Sequence, residues 1–356
     1  MIKIFLSFIL LCYLPIIGQN QKPKSNNQKI NTSVCFRILF YNSENFFDTF
    51  DDPRTEDNEF IPRSKKHWTL KRYFRKVDNF YKLFVSLGIQ PPSLIGLCEI
   101  ENSKVLSDLT QNTPLLKFSY RYLHHDSPDP RGIDVALLYR PDQFTPLKTQ
   151  FIKVIFPFDT ARKTREILYV KGIALHADTF HVFVNHWPSR SRGQAESIKY
   201  REQAAKILRL KVDSLFHADI RNKIIIIGDF NDEPDDSSIV KDLKAIKAVN
   251  PITGTSLYNL STSWLENVQN IGTIKFKDRW QIFDQIIVSG NILNPLSKGM
   301  KCDVHSAKIY SADFLITDDL RFSGKVPFRT YSGYKYTGGF SDHLPVYVDL
   351  CVGKRK

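Results

Sequence analysis

The chain of 356 residues carries a formal net charge of +13, with 42% hydrophobic and 13% aromatic content. That balance excludes general disorder and leaves room for one large core or two modest ones. A basic surface concentrates polyanions, but charge alone does not separate a polyanion-binding protein from a merely soluble basic one.

Lys3 precedes a mostly apolar run from Ile4 to Ile17, followed by Gly18 and a polar stretch. The run is shorter than the roughly 20 residues of a transmembrane helix and has the layout of a secretory signal. Residues 1–18 are therefore expected to be a signal peptide. The mature protein is expected to be exported, periplasmic or extracellular, with no integral membrane segment. A lipoprotein attached through Cys12 is disfavoured, because Leu10-Leu11 lack the small residue expected just before it. Residues 19–33, rich in Gln, Asn and Lys, read as a disordered leader. No repeat, Gly/Ser linker or composition break divides residues 34–352, which read as one domain.

In chain order, Arg37–Tyr41 is a short apolar strand ending in Asn42-Ser43-Glu44-Asn45. Apolar side chains at Tyr73, Phe74, Val77, Phe80, Tyr81 and Phe84 predict a helix over Thr69–Leu87. Pro91-Pro92 stops it, and Leu94–Cys98 follows as a buried strand. Val135–Tyr139, Ile167–Leu175 and Phe180–Val184 predict further strands, and Gln194–Phe216 a long helix leading into the strand Ile224–Ile227. Phe283–Val288 and Val346–Leu350 complete the set. Helices lie between several of the strands, which predicts a layered α/β or α+β sandwich.

Several of these strands end in chemistry-bearing clusters. Gly228-Asp229-Phe230-Asn231 follows four isoleucines; extended residues two apart share a face, so Asp229 and Asn231 are expected on one side, able to orient a water or to serve as turn residues. Leu97-Cys98-Glu99-Ile100-Glu101-Asn102 offers Glu99 or Glu101 to a cation such as Mg²⁺, which needs only one or two carboxylates. His186 lies just past a strand, with Arg190 and Arg192 suited to phosphate oxygens. Asp284 interrupts an apolar strand, where an acid is costly unless paired; orienting an imidazole would explain it. Ser341-Asp342-His343 follows Gly338-Gly339.

Together these motifs resemble the endonuclease/exonuclease/phosphatase superfamily, the metal-dependent phosphoesterases with the deoxyribonuclease I fold, over roughly Val34 to Val352. Asn42-Ser43-Glu44-Asn45 resembles the first motif, Arg131-Gly132-Ile133-Asp134-Val135-Ala136 the segment before a core strand, and Arg165 the phosphate-facing arginine. The resemblance implies a four-layered α/β sandwich with two packed, mainly antiparallel sheets. It implies a Mg²⁺ site, with Mn²⁺ as an alternative, built from Glu99, Asn42 and Asp342, with Glu101 secondary. Asp229 and Asn231 would position or deprotonate water, while His343, held by Asp284, and His186 act as acid, base or stabiliser of the phosphorane.

The activity so implied is an exported phosphodiesterase, with DNA or RNA as the leading substrate. Phospholipid, sphingomyelin or another small phosphoester is the first alternative, and a non-catalytic binding protein the second. Lys277–Asp284 lacks the Pro-Ala-Trp-Cys-Asp-Arg signature of inositol-polyphosphate phosphatases. Four cysteines follow the signal: Cys35, Cys98, Cys302 and Cys351, with no Cys-x-x-Cys pair of the zinc type. If the first and last strands are antiparallel neighbours, as the family fold suggests, Cys35 and Cys351 meet at the far end and form a disulfide, while Cys98 stays reduced.

Overall fold

The computed structural model describes residues 35–190, 193–296 and 299–352. The expected signal peptide and leader, and Arg192, lie outside the described residues.

Two mixed sheets form the centre. The first contains β1 (Cys35–Phe46), β2 (Leu94–Ile100), β3 (Arg121–His124) and β4 (Asp134–Tyr139), and the C-terminal strand Val346–Val352 pairs antiparallel with β1. The second runs β5 (Phe144–Ile152), β6 (Ile167–Ala174), β7 (Asp178–His186), β8 (Lys223–Asp229) and then Asp284–Ser289. Most pairings are antiparallel, but β1 lies parallel to β2, and β7 parallel to β8. The C-terminal ends of these four strands therefore reach one common edge.

Strand alternation builds the layers. Phe36, Ile38 and Phe40 of β1 enter the core between the sheets, while Leu39 and Tyr41 face the helices α1 (Leu70–Ser86) and α2 (Ser103–Gln111). The isoleucine run of β8 divides likewise. Ile225 and Ile227 join the inter-sheet core, and Ile224 and Ile226 pack under α3 (Gln194–Ala218) with Ala204, Leu208 and Val212. All four isoleucines are fully buried, each worth about 1.5–3 kcal/mol of hydrophobic transfer. The four-layered sandwich is thus present. The α1 pattern holds except at Phe74, which remains 43% exposed.

The disulfide joins Cys35 to Cys351, which are direct register partners with Cα atoms 4.1 Å apart, and Cys98 is a buried free thiol. Among the described residues, no helix is long and apolar enough to cross a membrane.

Candidate active site

The parallel strand ends assemble the site. In the second sheet His186 opposes Asp229 across β7 and β8, and Asp229 opposes Asp284 on the next strand. Three functional groups from distant sequence positions thus form one row. Gly228 stays in β8, opposite Asn185 and Gln285. A Cβ there would lie 2.6 Å from the Asn185 carbonyl oxygen, so close strand packing is what requires glycine.

In the first sheet a register shift between Cys98 and Ile100 puts Glu99 in a bulge with φ 59°. Such bulges re-aim a side chain. This one brings Glu99 rather than Glu101 to the site. Glu99 faces the site, whereas Glu101 accepts the Asp48 N–H at 2.6 Å and is pushed by burial to a pKa of about 8.

His343 arrives on a loop anchored on both sides. Ser341 Oγ donates to the Asn42 carbonyl at 2.7 Å and accepts the His343 N–H at 3.1 Å. The Thr273 carbonyl accepts from Leu344 N at 2.6 Å, while its hydroxyl accepts the Asp284 N–H at 3.1 Å. Thr273 therefore ties the acid-bearing strand to the histidine loop, a positioning role without a sequence signature.

One atom is the geometric centre. Asp229 Oδ2 accepts Asn42 Nδ2 at 2.9 Å and lies 3.8 Å from His186 Nε2 and 3.9 Å from His343 Nε2. Glu99 Oε1 is 3.9 Å from His186 Nε2 and 3.4 Å from Asn42 Nδ2, and its Oε2 accepts the Asn45 N–H at 2.8 Å. His343 Nδ1 sits 2.7 Å from Asp284 Oδ2, a buried pair.

The two imidazoles are pushed in opposite directions. Burial drives His186 well below its ordinary value, reinforced by the positive charges of Arg165, Arg131 and His343. Burial also opposes the charged form of His343, but Asp284 and Asp229 outweigh it and hold that ring well above its ordinary value. The surroundings thus favour the charged form of His343 and the neutral ring of His186. Asp229 is raised by burial, against the lowering charge of His343, to about 6.

Other expected residues are placed differently from their sequence reading. Asn231 does not share an extended face with Asp229. With φ 52° it turns so that its N–H meets Asp229 Oδ1 at 2.9 Å and its amide donates to the Trp187 carbonyl at 3.0 Å. Arg190 does not face the cleft as a free phosphate ligand. It is bound to Asp232 at 2.8 Å, Asp236 at 2.5 Å and the Asn231 carbonyl at 2.7 Å. Arg165 pairs with Asp129 at 2.9 Å and donates to the carbonyl of Trp187, the residue after His186, at 2.6 Å. Asn42 presents its NH₂ to both acids because its oxygen accepts the Glu44 N–H at 2.9 Å. Arg329, not singled out by sequence, joins Asp342 at 2.7 Å and Glu44 at 3.3 Å. It follows no strand-end motif, so only tertiary structure identifies it.

The acids fit a hard divalent cation. Burial and the neighbouring charge of Asp342 both raise the Glu99 pKa, an excess of negative charge that a cation relieves. Burial pushes the Cys98 thiol well up, which removes thiolate from the His186–Asp229–Cys98 grouping and leaves oxygen and imidazole donors.

The sequence model of the Endonuclease/Exonuclease/phosphatase family matches residues 37–352. A comparison with curated proteins returns no match. Among solved structures, an endonuclease/exonuclease/phosphatase family protein from Bacteroides thetaiotaomicron is similar at TM-score 0.56 and 15% identity, covering 91% of this chain and 100% of that one. D. rerio TDP2 complexed with single strand DNA product gives 0.53 at 13% identity, with 89% and 98% coverage. The Bacteroides thetaiotaomicron VPI-5482 mannosyl-6-phosphatase Bt3783 gives 0.53 at 15% identity, with 88% and 99% coverage. At these identities the likeness speaks to fold. With the family match spanning nearly the whole described domain, the chain belongs to the endonuclease/exonuclease/phosphatase family of metal-dependent phosphoesterases.

Proposed function

We propose that the protein is an exported, Mg²⁺-dependent phosphodiesterase that cuts DNA. The observation that carries the chemistry is the convergence of Asn42, His186 and His343 on one oxygen of Asp229, with His343 backed by Asp284. A carboxylate raised to about 6 is matched to taking a proton from water. As that proton moves to Asp229, the water oxygen bonds to phosphorus and the opposite P–O bond breaks. The His343 imidazolium donates to the oxygen on which negative charge grows, and Asp284 keeps its ring oriented. The neutral His186 ring and the Asn42 amide hold the reacting groups in place. A cation bound at Glu99 and Asp342 would act as a Lewis acid toward the phosphoryl oxygen.

DNA is supported by the net charge of +13 and by the TDP2 neighbour complexed with single strand DNA product. Export is supported by the Lys3–Gly18 pattern. A second reading, a sugar-phosphate monoesterase, draws on the mannosyl-6-phosphatase neighbour and on the carboxylates that already engage Arg190. Incubating purified mature protein with Mg²⁺ and supercoiled plasmid should yield nicked and linear DNA. Intact plasmid together with phosphate release from mannose 6-phosphate would favour the second reading, and turnover confined to sphingomyelin vesicles the lipid alternative. A fusion of residues 1–40 to a reporter active only after export tests the signal.

A further inference from the structure

The inner face of α1 is not wholly apolar. Among Tyr73, Val77, Phe80 and Leu83 it buries Lys76, 1% exposed, and Asn79, 5% exposed. The two lie three residues apart and so share one side of the helix. A buried ammonium is costly unless it is hydrogen-bonded and faces opposite charge. Lys76 meets both conditions. Its Nζ donates to Thr330 Oγ1 at 2.6 Å and to the Phe340 carbonyl at 3.3 Å. Burial lowers its pKa to about 8, while Glu44, Asp342 and Glu99 act in the opposite sense and are therefore the carboxylates it faces.

Asn79 extends the contact. Its Nδ2 donates to the Gly339 carbonyl at 2.8 Å and to the Gly338 carbonyl at 3.2 Å. Gly338 and Gly339 have no side chains, so their backbone carbonyls are the handles by which this stretch can be held. The carbonyls of residues 338, 339 and 340 thus all end on α1, immediately before Ser341-Asp342-His343. Thr330 carries the hold further. Its N–H donates to Glu44 Oε2 at 2.6 Å, and Glu44 Oε1 lies 3.3 Å from Arg329, the partner of Asp342.

The geometry points to Lys76 and Asn79 as positioning residues of the reaction, gripping the 338–340 carbonyls so that Asp342 and His343 stand at the catalytic row. Ser341 fixes the same loop from the sheet side, through the Asn42 carbonyl, and α1 fixes it from the helix side. Misplacing reacting groups by about 1 Å costs about 10²-fold in rate, so the grip bears on catalysis as well as stability. The inference rests on the phosphodiesterase reading and deepens it, by naming what holds the histidine in place.

Lys76→Met keeps the length of the side chain and removes its donors. With bis-p-nitrophenyl phosphate, kcat should fall about 10–100-fold while KM stays within about threefold. Asn79→Ala should act in the same direction, and Lys71→Met, exposed on the same helix, should match the wild type. Proton NMR supplies a readout apart from turnover. The His343–Asp284 hydrogen bond, recognised by its loss in Asp284→Asn, should give a downfield resonance that shifts or broadens in Lys76→Met. Thr330→Val removes only the hydroxyl acceptor and gives the same test if Lys76→Met does not fold. A kcat within about twofold of wild type, with only the urea midpoint lowered, overturns the assignment, and so does an unmoved resonance. Absence of turnover in the wild type would instead overturn the phosphodiesterase reading, and the resonance would still decide the positioning role.

Discussion

His343 and Asp284, 59 residues apart in sequence, form a buried 2.7 Å pair in which the carboxylate keeps the imidazole charged despite its burial. Asp284→Asn removes the charge while keeping the shape. Turnover of bis-p-nitrophenyl phosphate should fall by about 10²–10⁴-fold. Stability should respond with a definite sign. A raised folded-state pKa means the pair contributes fully below the unfolded histidine value of about 6.5 and loses its contribution as pH rises through the folded value. Urea midpoints should therefore differ more between wild type and variant at pH 6 than at strongly alkaline pH; a growing difference at high pH would contradict the assignment.

Metal removal should silence the enzyme. Chelation is expected to abolish hydrolysis of bis-p-nitrophenyl phosphate, with Mg²⁺ or Mn²⁺ restoring it. Since the cation binds the folded protein, Mg²⁺ at a hundred times its dissociation constant should stabilise by about 2.7 kcal/mol. Glu99→Gln should lose most of that gain in a thermal melt. Full activity after exhaustive dialysis against chelator would refute the cation site.

His186 and His67 make a controlled comparison. His186→Ala removes a neutral ring 3.8 Å from the central Asp229 oxygen and should cost about 10²–10⁴-fold in kcat. His67 precedes α1 with its carbonyl bonded to Arg72, and His67→Ala should stay within a few-fold of wild type. Equal effects would show that the site lies elsewhere.

Arg190 separates a structural from a substrate role. Its guanidinium bridges Asp232 and Asp236, and Asp232 is only 1% exposed, so Arg190→Ala leaves buried charge with fewer partners. It should lower stability by about 1–3 kcal/mol in urea unfolding. The salt dependence of DNA binding should keep its slope, since no phosphate contact is lost. A shallower slope would return Arg190 to the substrate.

Gly228→Ala should act at a distance from the reacting atoms. The added methyl meets the Asn185 backbone, forcing β7 and β8 apart where they carry His186 and Asp229. A loss of about 1–3 kcal/mol, with a fall in kcat larger than any change in KM, is the expected kinetic pattern.

Much of this site was legible before the structure because its residues end apolar strands, and apolar runs announce themselves. Glu99, His186 and Asp229 belong to that class, and Asp284 opens the apolar strand Asp284–Ser289. The cysteine pairing followed once β1 and the C-terminal strand were taken as neighbours. What escaped was whatever depends on partners distant in sequence. Arg190 reads as a free cation until Asp232 and Asp236 are seen beside it. The bulge that turns Glu99 inward, and the left-handed turn of Asn231, break the two-residue alternation without a glycine to mark them. The strand β5 was missed because its side chains are mostly exposed at a sheet edge, where the hydrophobic pattern fades. Short hairpins such as Ile274–Phe276 with Arg279–Gln281 are too brief to carry a period.

The bond between Cys35 and Cys351 spans 316 positions, so nearly the whole folded domain is a covalent ring. A protease that severs one peptide bond within that ring linearises it and does not divide it. Both new ends remain part of one molecule, held through sulfur at the edge of the sheet opposite the catalytic row. Loops on the active edge are the exposed places where such cuts fall most readily, and the paired strands Cys35–Phe40 and Val346–Cys351 keep the two halves in register after one. Outside a reducing compartment, a clipped copy of this enzyme is therefore still a single particle, and two cuts are needed to release a fragment.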